Sequence, residues 1–324
     1  MAILTYREAI AKGIREGLDA DPRVFLMGED VGPYGGAYAV SKGMVQQYSQ
    51  DRIIDTPLAE SVIVGAGVGA AMGGLRPIVE IMTINFSLLA ADQIVNSAAK
   101  LRYMSGGQIE VPLIIRTVSG GGAMLGATHS QSLEGWYARV PGLYVVVPSS
   151  PYDALGLFRT ALAKRDPVLF VEHSLLYPMR GEVPDEHYTV PFGLADVKRH
   201  GKDVTIVGYL RMTQVALRAA EKLAEEGIDV EVVDLRSLRP LDRQTILESV
   251  MRTNRALVLE EGWKTGGFGA EVASIIAEEG YEYLDAPVKR LAGKEVPMPY
   301  TRPLELRALP SEAEVMQAVK ELLE

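Results

Sequence analysis

Short apolar runs rich in β-branched residues recur along this chain almost without polar interruption: Val24-Phe25-Leu26-Met27, Ile78-Val79-Glu80-Ile81, Leu113-Ile114-Ile115, Val145-Val146-Val147 and Val168-Leu169-Phe170-Val171. A strand that is apolar at successive positions must be covered on both faces, which is the condition of a parallel sheet flanked by helices. Helical patterns fill the intervals. Thr5 caps an amphipathic stretch running to about Ala20, with Glu8 at the capping-box position, and further helical stretches span Ala90 to Leu101 and Pro151 to Lys164. The expected class is α/β, a parallel sheet with helices on both sides.

The alternation stops between about Leu175 and Gly201, where Pro178, Pro184 and Pro191 stand among mixed charges. It resumes with strands at Val204-Thr205-Ile206-Val207, Val230-Glu231-Val232-Val233 and Ala256-Leu257-Val258-Leu259, separated by helical stretches from Thr213 to Glu226 and from Asp242 to Arg252. A helix from about Gly269 to Glu279 and a strand near Pro287 to Leu291 follow. At 324 residues the chain exceeds the usual size of one core, so two domains are expected, 1–175 and a smaller α/β unit 202–324, joined by a linker 176–201.

Composition removes several function classes. With no cysteine there is no disulfide framework, thiolate metal site or cysteine nucleophile. A net charge of -9 without a basic cluster argues against nucleic acid as a partner. No run of apolar residues is long enough to span a membrane, and the start, Met1-Ala2-Ile3-Leu4-Thr5-Tyr6-Arg7-Glu8, lacks a signal-peptide pattern, so the expected location is cytoplasmic.

One segment supports two incompatible functions. Ser61 to Ala70 reads as an apolar strand entering Gly65-Ala66-Gly67-Val68-Gly69-Ala70, with Glu80 closing the next apolar run, the outline of a dinucleotide-binding fingerprint. A dinucleotide-dependent oxidoreductase would follow. Yet Glu80 comes only fifteen residues after Gly65, and the two turns of helix that fit between Gly67 and Gly74 are too few for a crossover. The other parse turns the chain at Thr56 or Pro57 and makes Glu60 to Gly73 a single helix. In that parse Glu60 is either an exposed first-turn acid or a buried one with a purpose.

Histidine changes charge near neutral pH, and the chain has four: His129, His173, His187 and His200. The last two lie among charged residues and read as solvated. His173 follows a buried strand and reads as structural or cleft-facing. His129 lies in the Gly-rich stretch Ser119 to Ser132 after a predicted strand, where ligands bind in open α/β sheets; it is either a ligand-facing group or a cap for the helix expected near Ser132. No Gly-x-Ser-x-Gly elbow supports a serine hydrolase, and no histidine has metal-ligand spacing.

Several motifs in order, Gly28-Glu29-Asp30-Val31, Tyr34-Gly35-Gly36-Ala37-Tyr38, Arg52-Ile53-Ile54-Asp55-Thr56-Pro57-Leu58-Ala59-Glu60, Gly74-Leu75-Arg76-Pro77, Asp92 to Lys100, Arg102 to Gly107, His129-Ser130-Gln131-Ser132, Val232 to Asp242 and Tyr283 to Val288, cover both expected domains. Together the chain resembles the β subunit of the thiamine-diphosphate-dependent 2-oxo acid dehydrogenases. The resemblance implies a transketolase-like fold, with a parallel-sheet pyrimidine-binding domain and a smaller C-terminal domain. It implies that Glu60 hydrogen-bonds N1′ of the cofactor's aminopyrimidine and so helps remove the thiazolium C2 proton. It implies that Phe86 stacks on the pyrimidine, that Leu58 and Met82 line its slot, and that His129 faces the substrate; read alone, Leu58, Met82 and Phe86 are core packing.

The same resemblance implies a missing half. The family's diphosphate and magnesium site uses a Gly-Asp-Gly and paired asparagines, and this chain has neither a Gly-Asp dipeptide nor adjacent asparagines. A partner α subunit carrying Mg2+ is therefore expected, in an α2β2 assembly with active sites at α/β interfaces, the C-terminal domain docking the lipoyl acyltransferase (E2). Tyr34 to Tyr38 and Gly293 to Tyr300 look closer to pyruvate and acetoin types than to branched-chain ones. The leading expectation is the β subunit of a pyruvate-type E1 component, with acetoin and branched-chain dehydrogenases as alternatives. Two positions depart from the pattern: Leu89 stands where some pyruvate-type relatives carry glutamine, and Lys164 where others carry an acid at a monovalent-cation site. The Lys164 ammonium is expected to replace that ion among the carbonyls.

Overall fold

A computed structural model describes residues 1–324. In chain order the first elements are β1 (Ala2–Thr5), α1 (Tyr6–Ala20), β2 (Val24–Gly28), α2 (Met44–Tyr48), β3 (Ile53–Asp55), α3 (Glu60–Met72), β4 (Arg76–Ile81), α4 (Leu101–Met104), β5 (Ile114–Ser119), α5 (Glu134–Ala138), β6 (Tyr144–Val146), α6 (Pro151–Leu162), β7 (Val168–His173) and β8 (Arg180–Val183). They continue as β9 (Asp196–Arg199), β10 (Val204–Gly208), α7 (Arg211–Glu225), β11 (Val230–Asp234), β12 (Ser237–Arg239), α8 (Arg243–Thr253), β13 (Ala256–Trp263), α9 (Gly269–Glu279), β14 (Lys289–Gly293), α10 (Arg302–Ala308) and α11 (Glu312–Leu323). No helix is long and apolar enough to cross a membrane.

Two compact units result, one formed by Met1–Ser119 with Trp136–Phe192, the other by Gly120–Gly135 with Gly193–Glu324. The first contains a parallel sheet in the order β6-β7-β5-β4-β2-β3. Its strands β2, β5 and β7 are buried at every position, the apolar runs of β2 and β7 and equally the polar residues Arg116, Thr117 and Ser119 of β5 and Glu172 and His173 of β7. Helix α1 begins where expected: the Thr5 side chain accepts the Glu8 amide and the Glu8 carboxylate accepts the Thr5 amide at 2.7 Å. Its buried residues, Tyr6, Ile10, Gly13, Ile14 and Gly17, recur at helical spacing on one face.

Helix α3 decides the ambiguous segment. Gly65, Gly67 and Gly69 lie inside one continuous helix, so no strand-to-helix turn exists there to cradle a pyrophosphate, and the dinucleotide reading falls. Gly67 serves packing instead. A methyl group at Gly67 would approach Val79 to 2.7 Å and Leu113 to 3.1 Å, so only glycine lets α3 lie this close to the sheet.

The second unit carries a sheet in the order β14-β13-β10-β11-β9, parallel except for β9. Ala216, Ala219 and Leu223 of α7 share its core with Val315, Val319 and Leu322 of α11. The proline-rich stretch read as irregular holds two strands: β8 pairs antiparallel with β1, and β9 pairs antiparallel with β11. Both are edge strands of mixed polarity, Arg180-Gly181-Glu182-Val183 and Asp196-Val197-Lys198-Arg199, and so lack the apolar run that signals a buried strand. The helix expected from Ala90 to Leu101 is instead a π-helical turn at Gln93–Ala98 followed by α4.

Candidate active site

Strand β2 is flanked by β3 on one side and β4 on the other, all parallel, with Gly28 in register with both Asp55 and Glu80. The chain leaves β2 toward β3 and then crosses back over β2 to β4. Adjacent crossovers therefore diverge at β2, and the carboxyl edge of such a switch point is where open α/β sheets bind ligands. The first-unit residues expected to hold the aminopyrimidine follow two of these strand ends. Leu58 and Glu60 follow β3, and Met82 and Phe86 follow β4. Glu60 is 7 % exposed at the first position of α3, Met82 and Phe86 are half-buried, and Leu58 is 80 % exposed. Leu89 is 66 % exposed nearby in the chain.

The same edge holds an acid that the motifs alone did not single out. Glu29, directly after β2, is 4 % exposed, and neither carboxylate oxygen has a hydrogen-bond partner. Burial, followed by repulsion from Glu60, Asp30 and Glu80, pushes its carboxyl up to about 7 from the ordinary 4.5. Because the folded pKa is the higher one, stability associated with the neutral form is complete below pH 4.5 and is lost as pH rises through about 7. Glu29→Gln should consequently raise the stability of the purified chain above pH 7 by on the order of 1 kcal/mol, about 2 °C in Tm. A Tm difference from the parent that stays constant between pH 4.5 and 8 would contradict this assignment.

Beneath this edge Glu80 is joined to a buried ionic network. Arg116, 2 % exposed, donates from Nη1 to Glu80, and from Nε and Nη2 to the two oxygens of Glu172 at 2.8 and 2.9 Å. The Tyr177 hydroxyl donates to Glu172 at 2.7 Å. The Arg116 guanidinium is held above its ordinary range by the two carboxylates despite its burial, which acts the other way. Glu80 is in register with Arg116 across β4 and β5, and Arg116 with Phe170 across β5 and β7.

His129 belongs to the second unit. Its loop is closed at the base by the Gly120 amide donating to the Gln131 carbonyl at 3.1 Å, and His129 is exposed, with Nδ1 2.9 Å from the Thr128 hydroxyl. His173 is buried at the end of β7, where Nδ1 accepts the Leu175 amide at 3.2 Å, a structural cap. His200 is 82 % exposed on its side chain. No group of three or more His, Asp or Glu side chains could hold a metal ion.

The expectation for Lys164 needs correction. Its ammonium lies 5.1 Å from the Tyr144 ring centroid and 5.0 Å from that of Phe192, a cation held between aromatic faces. The carbonyls of Leu162 and Lys164, at the end of α6, are instead taken by Arg76, which donates to both from Nη2. A guanidinium can serve two carbonyls at once, and the short lysine is drawn to the rings.

The residues that sequence reasoning missed are Glu29, Arg116 and Glu172, and Glu80, read there as the acid of a dinucleotide fingerprint, is instead a partner of Arg116. Glu29 stood within the Gly28-Glu29-Asp30-Val31 motif, and Glu80 interrupted an apolar run, so each had a local signal. Arg116 and Glu172 lie in or at the end of apolar strands and become informative only once strand order sets them side by side.

Known families agree with this architecture. Residues 3–180 match the family described as "Transketolase, pyrimidine binding domain", and residues 193–315 match "Transketolase, C-terminal domain". The chain is 51% identical over 321 residues to the Oryza sativa subsp. japonica protein "Pyruvate dehydrogenase E1 component subunit beta-1, mitochondrial", covering 98% of this chain and 86% of that one. It is 47% identical over 319 residues to "Pyruvate dehydrogenase E1 component subunit beta" of Rickettsia felis, covering 98% of each. A solved structure titled "Split gene transketolase, inactive beta4 tetramer" superposes with a TM-score of 0.80 at 25% identity, covering 99% of this chain and 98% of that one. Identity at this level over nearly the full length of relatives that carry one name leaves a single placement: the chain belongs to the family of pyruvate dehydrogenase E1 component β subunits.

Proposed function

We propose that this chain supplies the pyrimidine-binding half of a pyruvate dehydrogenase E1 active site, with thiamine diphosphate as cofactor and an α subunit completing it. The observation that carries the reading is the carboxylate pair at the switch point: Glu60 buried on α3, and beside it a buried, unpartnered Glu29 raised first by its burial and then by the Glu60 charge. Two buried acids without an internal cation await a ligand that donates or shares a proton, and an aminopyrimidine nitrogen fits that chemistry. When bound, the cofactor supplies the nucleophilic carbon that attacks the 2-oxo carbonyl of pyruvate. Glu60 holds the proton at N1′. Phe86 and Met82 present apolar surface to the ring, and Leu58, largely exposed in this chain alone, closes the slot when the complex assembles. His129 faces the substrate and assists decarboxylation or acetyl transfer to the lipoyl group of E2.

The chain's own surface suits a partner. Leu58, Val62, Leu89, Tyr103 and Met104 are all more than 60 % exposed, large apolar side chains that a partner subunit would take out of water. The α subunit covers it in an α2β2 tetramer and brings the diphosphate and Mg2+ site. The structural neighbour titled an inactive β4 tetramer is a β-only assembly without activity; this chain without its α subunit is inactive in the same way.

The test is titration of the purified chain before and after an α subunit is added. Thiamine diphosphate should bind the chain alone roughly a hundredfold more weakly, a loss of about 3 kcal/mol, and NADH should not saturate it. Pyruvate should then be decarboxylated by the pair faster than acetoin is cleaved or 3-methyl-2-oxobutanoate is decarboxylated. Tight thiamine diphosphate binding without an α subunit would defeat the proposal.

A further inference from the structure

The loop that carries His129 has an unusual backbone. Gly120, Gly122 and Met124 all have positive φ, at 88°, 98° and 58°. Left-handed residues alternating with others turn neighbouring amides to one side, forming a nest that attracts an anion. The nest already holds one. Glu305, fully buried on α10, accepts the Gly122 amide at 2.9 Å and the Met124 amide at 3.0 Å, its second oxygen lying 3.1 Å from Met124 N. Glu261, also buried, accepts the amide of the preceding residue, Gly121, at 2.7 Å.

Glu305 forms no ion pair with a basic side chain; the loop amides are its hydrogen-bond donors, and it stands in the first turn of α10. A carboxylate buried without donors is strongly unfavourable, and amides turned inward without an acceptor are nearly as costly. Loop and helix therefore hold each other across 183 residues of sequence. The clasp ends five residues before His129, and the Gln131 carbonyl ties the chain two residues after it. Between these anchors the His129 amide donates to the Gly126 carbonyl at 3.3 Å, which leaves the histidine backbone little freedom.

We infer that Glu305 is the positioning residue for His129, an internal anion that sets the loop in the conformation from which the imidazole acts. The inference rests on the role given to His129 above. It also explains why the position calls for an acid: glutamine keeps one acceptor but sets its own N–H2 group against the loop amides, and alanine removes both acceptors.

The test uses the assembled α- and β-subunit enzyme carrying Glu305→Gln, Glu305→Ala, His129→Ala, or His129→Ala combined with Glu305→Gln. Glu305→Gln should lower kcat for acetyl transfer from pyruvate to a lipoyl domain by roughly tenfold, leaving KM for pyruvate within about twofold, because misplacing a group costs turnover more than binding. Hydrogen exchange at the Gly122 and Met124 amides should accelerate in the same variant. In the His129→Ala background the added Glu305→Gln should cost less than about twofold, since its effect passes through the imidazole. An equal loss in both backgrounds, or unchanged exchange in the loop, overturns the clasp while leaving His129 in place. Wild-type kcat in His129→Ala removes the histidine reading itself, and the catalytic role of Glu305 with it. If the Glu305 variants do not assemble, Gly122→Ala strains the same nest from the loop side without touching α10, and the same kcat loss with the same dependence on His129 is required.

Discussion

Glu60→Gln in the assembled enzyme should lower kcat by roughly 10²- to 10⁴-fold, the range for loss of a positioned proton-transfer group, while the subunits still assemble. Glutamine is nearly isosteric, so the first turn of α3 and the packing of Gly67 against Val79 and Leu113 should be preserved. What disappears is the capacity to hold a proton at a buried carboxylate 7 % exposed to solvent. The change should also relieve the repulsion that Glu60 exerts on Glu29, the second cause, after burial, of that residue's raised value. The pH dependence of Glu29 should accordingly move toward the acid side in the variant. Turnover within about threefold of wild type would take Glu60 out of the mechanism.

The second large effect is on stability. Arg116→Leu removes the cation between Glu80 and Glu172 and leaves two buried carboxylates facing each other, a loss of about 3–5 kcal/mol. In a chain of this size that corresponds to a fall in Tm of roughly 6–15 °C. Burial already pushes the Glu172 carboxyl above its ordinary value, with Arg116 opposing that rise, so removing Arg116 should raise it further. With the folded pKa raised, the penalty should be smallest in mild acid, where the carboxyl is neutral, and should grow toward alkaline pH. Adding Glu80→Gln and Glu172→Gln to the same background should recover part of the loss, since a neutral amide is cheaper to bury than a charge. Denaturant unfolding checks both parts; a single variant that loses less than about 1 kcal/mol would show that the network is not stabilising the sheet. Glu80 links this network to the site, being both an Arg116 partner and one of the charges that raise Glu29.

Local patterns made much of the scaffold legible. The buried strands announced themselves as apolar runs, α1 by its capping box, and the length of α3 by the spacing between Gly65 and Glu80. Helix α11 carried the same kind of signal, Ser311 and Glu314 at its start, whose capping box the structure contains and the sequence reading passed over. Strands β8 and β9 had no such signal, because an edge strand exposes one side to water and needs no apolar run.

The chain's own sequence thus determined its fold class, the helix that carries Glu60 and the family to which it belongs, because periodicity, caps and motifs are properties of neighbouring residues. Tertiary structure alone decided what surrounds the chemistry. Glu29, Glu80, Arg116 and Glu172 meet through the order and register of parallel strands, and Glu305 meets Gly122 across 183 positions. Lys164 was assigned to the carbonyls at the end of α6, yet Arg76 from the start of β4 reached them. In each case the partner of a charge is chosen by which groups the fold brings within hydrogen-bond reach in a site with little water, and no local pattern encodes that choice.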